Sequence, residues 1–228
     1  MPDAALSPRP LDPAPCPSPR LAQLLEGLCR LLITAWIRVA YRFRAHGLHH
    51  LPLHGPAVLV CNHISFIDPL LLGVASRRSI RFVMDHRIFR SPALHWFFRL
   101  MGTIPIAPRH EDPVALERAL DSIAAALERG ELLCIFPEGK ITHTGHMNEF
   151  RRGIDQIVAR TPVPVIPMAL RGLWGSFFSR KDGPAMRKRP RRFRARLELR
   201  CGEPIAPHEV EANDLRARVS ELLGPQPA

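Results

Sequence analysis

Residues 57–68 read Ala-Val-Leu-Val-Cys-Asn-His-Ile-Ser-Phe-Ile-Asp, and Pro69 follows. Ala57–Cys61 is a short apolar run without alternation, the pattern of a buried strand. Asn62, His63 and Ser65 break that run. Asp68-Pro69 then opens a helix over 69–76, because proline is tolerated in the first helical turn, with Asp68 expected at the N-cap. A strand feeding a helix through a short polar loop is half of a βαβ unit. Polar residues at its strand end stand where α/β folds place their sites.

The same alternation continues downstream. A strand is expected over 80–84, and Ser91-Pro92 reads as an N-cap and first helical position. Residues 103–107 are extended. Asp112-Pro113 starts a helix whose face is Leu116, Ala119, Leu120, Ile123, Ala124 and Leu127, and Gly130 ends it. A buried strand over 132–136 stops at Pro137, and 153–160 is a short helix. Residues 163–170 are extended but contain Pro164 and Pro167, which suggests an interruption or an edge position. Residues 192–201 alternate Phe193, Ala195, Leu197 and Leu199 against Arg194, Arg196, Glu198 and Arg200, a half-exposed strand. A helix over 211–223 closes the chain. The fold class is therefore α/β, a mainly parallel or mixed central sheet flanked by helices.

Ahead of this domain, Leu21, Leu24, Leu25, Leu28, Leu31, Leu32, Ala35, Trp36, Val39 and Phe43 recur at helical spacing, punctuated by Arg30, Arg38, Arg42 and Arg44. No uninterrupted apolar run reaches the roughly 18 residues of a spanning helix. Two readings remain: an amphipathic helix lying in the membrane interface, or one covering its own core. Different faces can do both. The proline-rich residues 1–19 lack the apolar stretch of a secretory signal and read as a disordered leader. The organisation expected is a leader over 1–19, an amphipathic membrane-associated helix over 20–46 and a domain over 47–228.

Lys and Arg total 32 against 21 acidic residues, a formal net charge of +11. Such a surface favours polyanions, nucleic acid or anionic membrane. Aromatic residues are 7% of the chain with one Tyr, poor supply for a base-stacking platform. Residues 180–200 hold ten basic residues, six in an expected loop and four on a strand face, without a recognition helix. Anionic lipid headgroups or an acidic carrier protein fit this better than nucleic acid. The five cysteines, Cys16, Cys29, Cys61, Cys134 and Cys201, form no CxxC and read as reduced thiols.

Two clusters carry chemistry. In the first, one tight loop brings His63 to Asp68; a carboxylate accepting from Nδ1 leaves Nε2 to take a proton from a hydroxyl. The same residues also suit a capped helix beside a hydrogen-bonded loop histidine. The second cluster, Phe136-Pro137-Glu138-Gly139-Lys140, also follows a strand, and there Glu138 is either a ligand for a polar group or a solvated turn residue. Cys61 and Ser65 are the candidates for a competing covalent scheme. His143 and His146 have a spacing compatible with a metal but no supporting carboxylate or cysteine pattern, so they read as loop histidines.

Together the two clusters resemble the PlsC-type glycerolipid acyltransferases (the 1-acylglycerol-3-phosphate O-acyltransferase family). The first block of that family, Asn-His and then Asp after four residues, is matched by Asn62, His63 and Asp68. Phe136-Pro137-Glu138-Gly139 matches the third block, Val163-Pro164-Val165-Ile166-Pro167 the fourth, and Gly202-Glu203-Pro204-Ile205 the final one. The resemblance covers roughly 47–206. It implies direct acyl transfer, with His63 as general base oriented by Asp68 and no cofactor. The implied partners are acyl-CoA or acyl carrier protein as donor, a lysophospholipid as acceptor and an anionic membrane surface. It also implies a peripheral or monotopic place at the cytoplasmic face of the inner (plasma) membrane, and acceptor binding by Glu138 and Gly139. The second block departs: Gly102 to Arg109 lacks its aromatic residue and Asp, and Arg109 lies one position late for an acceptor phosphate. The third continues Lys140-Ile141-Thr142 where the family has Thr-Arg-Ser, leaving Lys140 as a compensating charge. Phe136 to Gly145 and Gly172-Leu173-Trp174-Gly175-Ser176 also resemble 2-acylglycerophosphoethanolamine acyltransferases, so a lysophospholipid with a larger head group stands close behind lysophosphatidic acid.

Overall fold

A computed structural model describes residues 19–187 and 194–225. The chain runs α1 (Pro19–Ala40), β1 (Tyr41–His46), β2 (Ala57–Cys61), α2 (Asp68–Ala75), β3 (Ile80–Asp85), α3 (His86–Phe89), α4 (His95–Leu100) and β4 (Ile104–Ile106). It continues through α5 (Pro113–Glu128), β5 (Leu132–Ile135), α6 (Gly153–Arg160), β6 (Val165–Arg171), β7 (Ala195–Cys201) and α7 (Ala212–Leu223). The strands form one sheet in the order β1-β7-β6-β2-β5-β3-β4. Every neighbouring pair is parallel except β6 and β7. The expected α/β class and mainly parallel sheet are what the chain forms.

β2 lies between β5 and β6, so both its hydrogen-bonding edges are paired, and with side chains packed over each face all five of its residues are buried. Val58 and Val60 join the side chains of α5, α6 and α7 on one side of the sheet, while Ala57, Leu59 and Cys61 join those of α2 and the end of α1 on the other. The period-2 alternation of a strand thus feeds two cores. α5 follows its expected limits closely: Asp112 Oδ1 accepts from the Ala115 N–H at 2.8 Å, and Gly130 closes the helix with φ 80°.

Four expectations need correction. The amphipathic segment is not helical to 46, because the helix ends at Ala40 and 41–46 pair with β7 as β1. Alternating Arg42 and Arg44 with Phe43 and Ala45 suits a strand as well as a helix, and a free sheet edge decided it. β6 is not at an edge. Its antiparallel ladder with β7 begins at Met168, one residue past Pro167, and the Pro167 carbonyl still accepts from Gly202 N–H at 2.8 Å. The proline therefore sits where no ladder donor is required. Ser91-Pro92 does not start a helix: α4 begins at His95, whose N–H donates to the Ser91 carbonyl at 2.8 Å. Nor is Asp68 an N-cap, since it is the first residue of α2 and its carboxylate turns back into the preceding loop. Pro19, the last residue of the leader expected over 1–19, opens α1; the rest of that leader, the basic stretch 188–192 and the start of the strand expected at 192 lie outside the described residues.

α1 divides its faces unequally. Ile33, Ile37 and Ala40 pack on the core, and the Arg30 guanidinium donates to the carbonyl of Ser76 at the end of α2. Leu24, Leu28, Leu31, Leu32, Trp36 and Val39 point outward and are exposed, Leu24 by 71%. No helix among the described residues is long and apolar enough to cross a membrane.

Candidate active site

β2 and β5 are parallel neighbours in the interior of the sheet, and the loops leaving their carboxyl ends carry His63 and Glu138. At the end of β2, Asn62 splices the chain onto β6. Its Oδ1 accepts from the Leu170 N–H at 2.7 Å and its Nδ2 donates to the Leu170 carbonyl at 3.1 Å. A buried side-chain amide thereby replaces one step of backbone ladder and fixes where the chain turns into His63.

His63 is held from several directions. Its Nδ1 lies 2.8 Å from Asp68 Oδ2, and the same oxygen accepts the N–H groups of Ile64 at 2.7 Å and Ser65 at 2.9 Å. Because that oxygen already collects two backbone donors, the imidazole meets it as a third donor, with the proton on Nδ1 and the lone pair on Nε2. The ring stacks on Phe136 with centroids 4.2 Å apart. The His63 carbonyl accepts from the Thr142 N–H at 3.0 Å. Asp68 is fully buried, and its Oδ1 has no hydrogen-bond partner among the described residues.

Glu138 faces inward. Its Oε1 accepts from the His63 N–H at 2.6 Å, and its Oε2 accepts from Asn148 N–H at 2.7 Å and Asn148 Nδ2 at 2.8 Å. It is 2% exposed. Burial pushes the carboxyl above its usual range, while the Asn148 and His63 donors pull it back down. Gly139 has φ 67°, and a Cβ there would collide with the Arg151 guanidinium. Lys140 is exposed on the rim. Arg109 is held apart from this group. It follows β4 at the sheet edge, three strands from β2 and so roughly 14 Å across, and its side chain is exposed, 3.8 Å from Glu117.

The residues for covalent chemistry are placed differently. Cys61 is fully buried and its thiol is pushed well up, first by burial and then by its proximity to Cys134 and Asp68. The Ser65 hydroxyl, also buried, accepts from the Ile67 N–H at 3.1 Å. Neither is poised as a nucleophile. Among the described residues no three His, Cys, Asp or Glu side chains converge as a metal set. Asn148 carried no recognisable signal in the sequence; Phe136 belonged to a quoted block, but its stacking depends on strand order.

Residues 42–171 match the family model described as Acyltransferase. A chloroplastic 1-acyl-sn-glycerol-3-phosphate acyltransferase of Arabidopsis thaliana is 32% identical over 133 residues, 58% of this chain and 36% of that protein. The 1-acyl-sn-glycerol-3-phosphate acyltransferase alpha of Mus musculus is 27% identical over 192 residues, 82% of this chain and 63% of that one. The chain thus spans less than two thirds of the length of either relative. The crystal structure of the 1-acyl-sn-glycerophosphate acyltransferase PlsC from Thermotoga maritima shares the fold, with a TM-score of 0.67 at 19% identity over 90% of this chain and 78% of that one. The matched region holds the strand, the loop and the His63–Asp68 pair just described, and the chain belongs to the Acyltransferase family.

Proposed function

We propose that the protein moves a fatty acyl group from an acyl thioester to the free hydroxyl of 1-acyl-glycerol-3-phosphate, giving phosphatidic acid. The observation that carries this reading is the Asp68 grip on His63 Nδ1, which presents Nε2 as a proton acceptor. The acceptor hydroxyl gives its proton to Nε2 as its oxygen attacks the thioester carbonyl. The tetrahedral intermediate collapses with cleavage of the C–S bond, and the imidazolium returns the proton to the leaving thiolate. Asp68 stabilises the imidazolium formed between these events. The buried placement of Cys61 and Ser65 favours this direct route over an acyl-enzyme.

Gly139 and Lys140, both exposed just after the buried Glu138, are assigned to acceptor binding, with Glu138 acting through His63 and Arg109 at a distance. The donor is acyl-CoA or acyl carrier protein. The outward apolar face of α1, with exposed Arg38 near its C-terminal end and exposed Arg42 just beyond it in β1, suits an anionic membrane surface where both lipid substrates reside, at the cytoplasmic face of the inner (plasma) membrane. Offering the purified protein lysophosphatidic acid and a panel of lysophospholipids, each with both donors, tests the reading. Phosphatidic acid should form, and His63→Ala should abolish it. Transfer that persists in that variant removes His63 as the base, and preference for lysophosphatidylethanolamine would move the acceptor to the larger head group.

A further inference from the structure

The segment after β6 pairs with the catalytic loop and brings beside it a cation that takes no part in the proton transfer. The Phe66 N–H donates to the Phe178 carbonyl at 3.3 Å, and Ser65 forms an isolated bridge with Ser179. The next residue, Arg180, is thereby brought with its guanidinium carbon 5.8 Å from the Phe66 ring centroid. Its Nη1 lies 3.4 Å from His143 Nε2. His143 in turn follows Thr142, whose N–H holds the His63 carbonyl. Arg180 therefore stands between the two loops that fix His63.

Its charge is poorly matched there. Among the described residues its side-chain partners are an aromatic face and an imidazole, neither of them a carboxylate, and its Nε is buried with no hydrogen-bond partner. A partly buried guanidinium with an unused donor is costly until an anion arrives, and its planar fork suits phosphate oxygens. The departure from the resembled block leaves a place for such a group. Where the family resemblance places an arginine in the third block, this chain has Ile141, which is buried. Lys140 offers only a point charge, and Arg109 is three strands away.

We infer that Arg180, assisted by His143, is the phosphate-recognition group of this site, binding a phosphate of the substrate seated at His63. The inference rests on the acyl-transfer reading above. The phosphate has two possible sources, the glycerophosphate of the acceptor or the phosphates of the thioester donor.

The test compares the full-length protein with Arg180→Gln and Arg180→Lys in steady-state acyl transfer. Acceptors are lysophosphatidic acid and the phosphate-free 1-monoacylglycerol; donors are acyl-CoA and the phosphate-free acyl thioester of N-acetylcysteamine. Losing hydrogen bonds to a charged group predicts that Arg180→Gln raises KM for the phosphate-bearing substrate roughly 10- to 100-fold, with kcat/KM for its phosphate-free counterpart unchanged. Arg180→Lys should recover part of the loss. A KM effect confined to lysophosphatidic acid assigns the acceptor's phosphate, and one confined to acyl-CoA assigns the donor's. Equal losses with phosphate-bearing and phosphate-free substrates, in both variants, would show a structural role and overturn the inference, as would no effect at all. A wild-type protein inactive with every pair would instead sink the acyl-transfer reading, and this inference with it.

Discussion

Glu138 Oε1 accepts the backbone N–H of His63 at 2.6 Å, so the carboxylate of one strand-end loop grips the main chain of the other. The bond joins residues 75 apart in sequence, and Asn148 completes it by supplying two donors to the second oxygen. Asn148 is itself tied to α7, since its carbonyl accepts from Arg216 Nε at 3.3 Å. A carboxylate so occupied acts on the position of His63 more directly than on a substrate. Glu138→Ala should therefore lower kcat far more than it changes the acceptor KM. A rise in KM at constant kcat would return Glu138 to direct acceptor binding.

The same carboxyl carries a pH dependence. Its native pKa is raised above its unfolded value, so between the two values the native state binds more protons than the unfolded state. The contribution of Glu138 to stability is thus full below the ordinary carboxyl range and declines as pH rises through the raised value. Denaturant unfolding of wild type and Glu138→Gln across about pH 4 to 8 should show the wild type losing ground to the variant with rising pH, then a plateau. A difference independent of pH would contradict the raised value.

Asp68→Asn separates charge from geometry. The amide oxygen can still accept from Ile64 N–H, Ser65 N–H and His63 Nδ1, but it no longer balances an imidazolium. We expect kcat to fall by roughly 10²- to 10⁴-fold with little change in either KM. Single-turnover rates would check this. Activity within a few-fold of wild type would mean that Asp68 is only a loop staple.

Cys61→Ala should retain acyl transfer, because the thiol is fully buried at the end of β2 and the proposed chemistry passes through Nε2 of His63 instead. The cost falls on stability, on the order of 1 kcal/mol for a small cavity. Loss of activity in a variant that still folds would reinstate the covalent scheme.

Leu24→Glu with Leu31→Glu tests the outward face of α1 without disturbing its core-facing Ile33 and Ile37. Deleting residues 1–46 would be a poor test, since it removes β1 from the sheet. Flotation with vesicles containing anionic phospholipid should recover wild type and leave the double variant behind, with Tm unchanged. Equal recovery would exclude α1 as the membrane contact.

Several features are legible in the sequence alone. The unbroken apolar run Ala57–Cys61 marked a buried strand, and Asp112-Pro113 with Gly130 bracketed α5, because apolar periodicity, proline and glycine act locally. His63 and Asp68 are five residues apart in one loop, so their meeting also needed little beyond local geometry. Less was legible where two local patterns competed. Residues 41–46 fit a helix or a strand until β7 offered an edge, and the prolines of β6 argued for an edge until the ladder with β7 began beyond them.

By itself, then, the sequence determined the α/β class, the strand-end position of both clusters and a loop short enough for His63 to reach Asp68. Only the tertiary structure decided that Glu138 turns inward onto His63 and Asn148, that α1 shows its leucines to the outside, and that Arg180 comes to rest on Phe66. The physical reason is strand order. Which loops share the carboxyl end of the sheet depends on β2 lying between β5 and β6. That arrangement is set by burying two cores at once, and no local stretch of sequence encodes it.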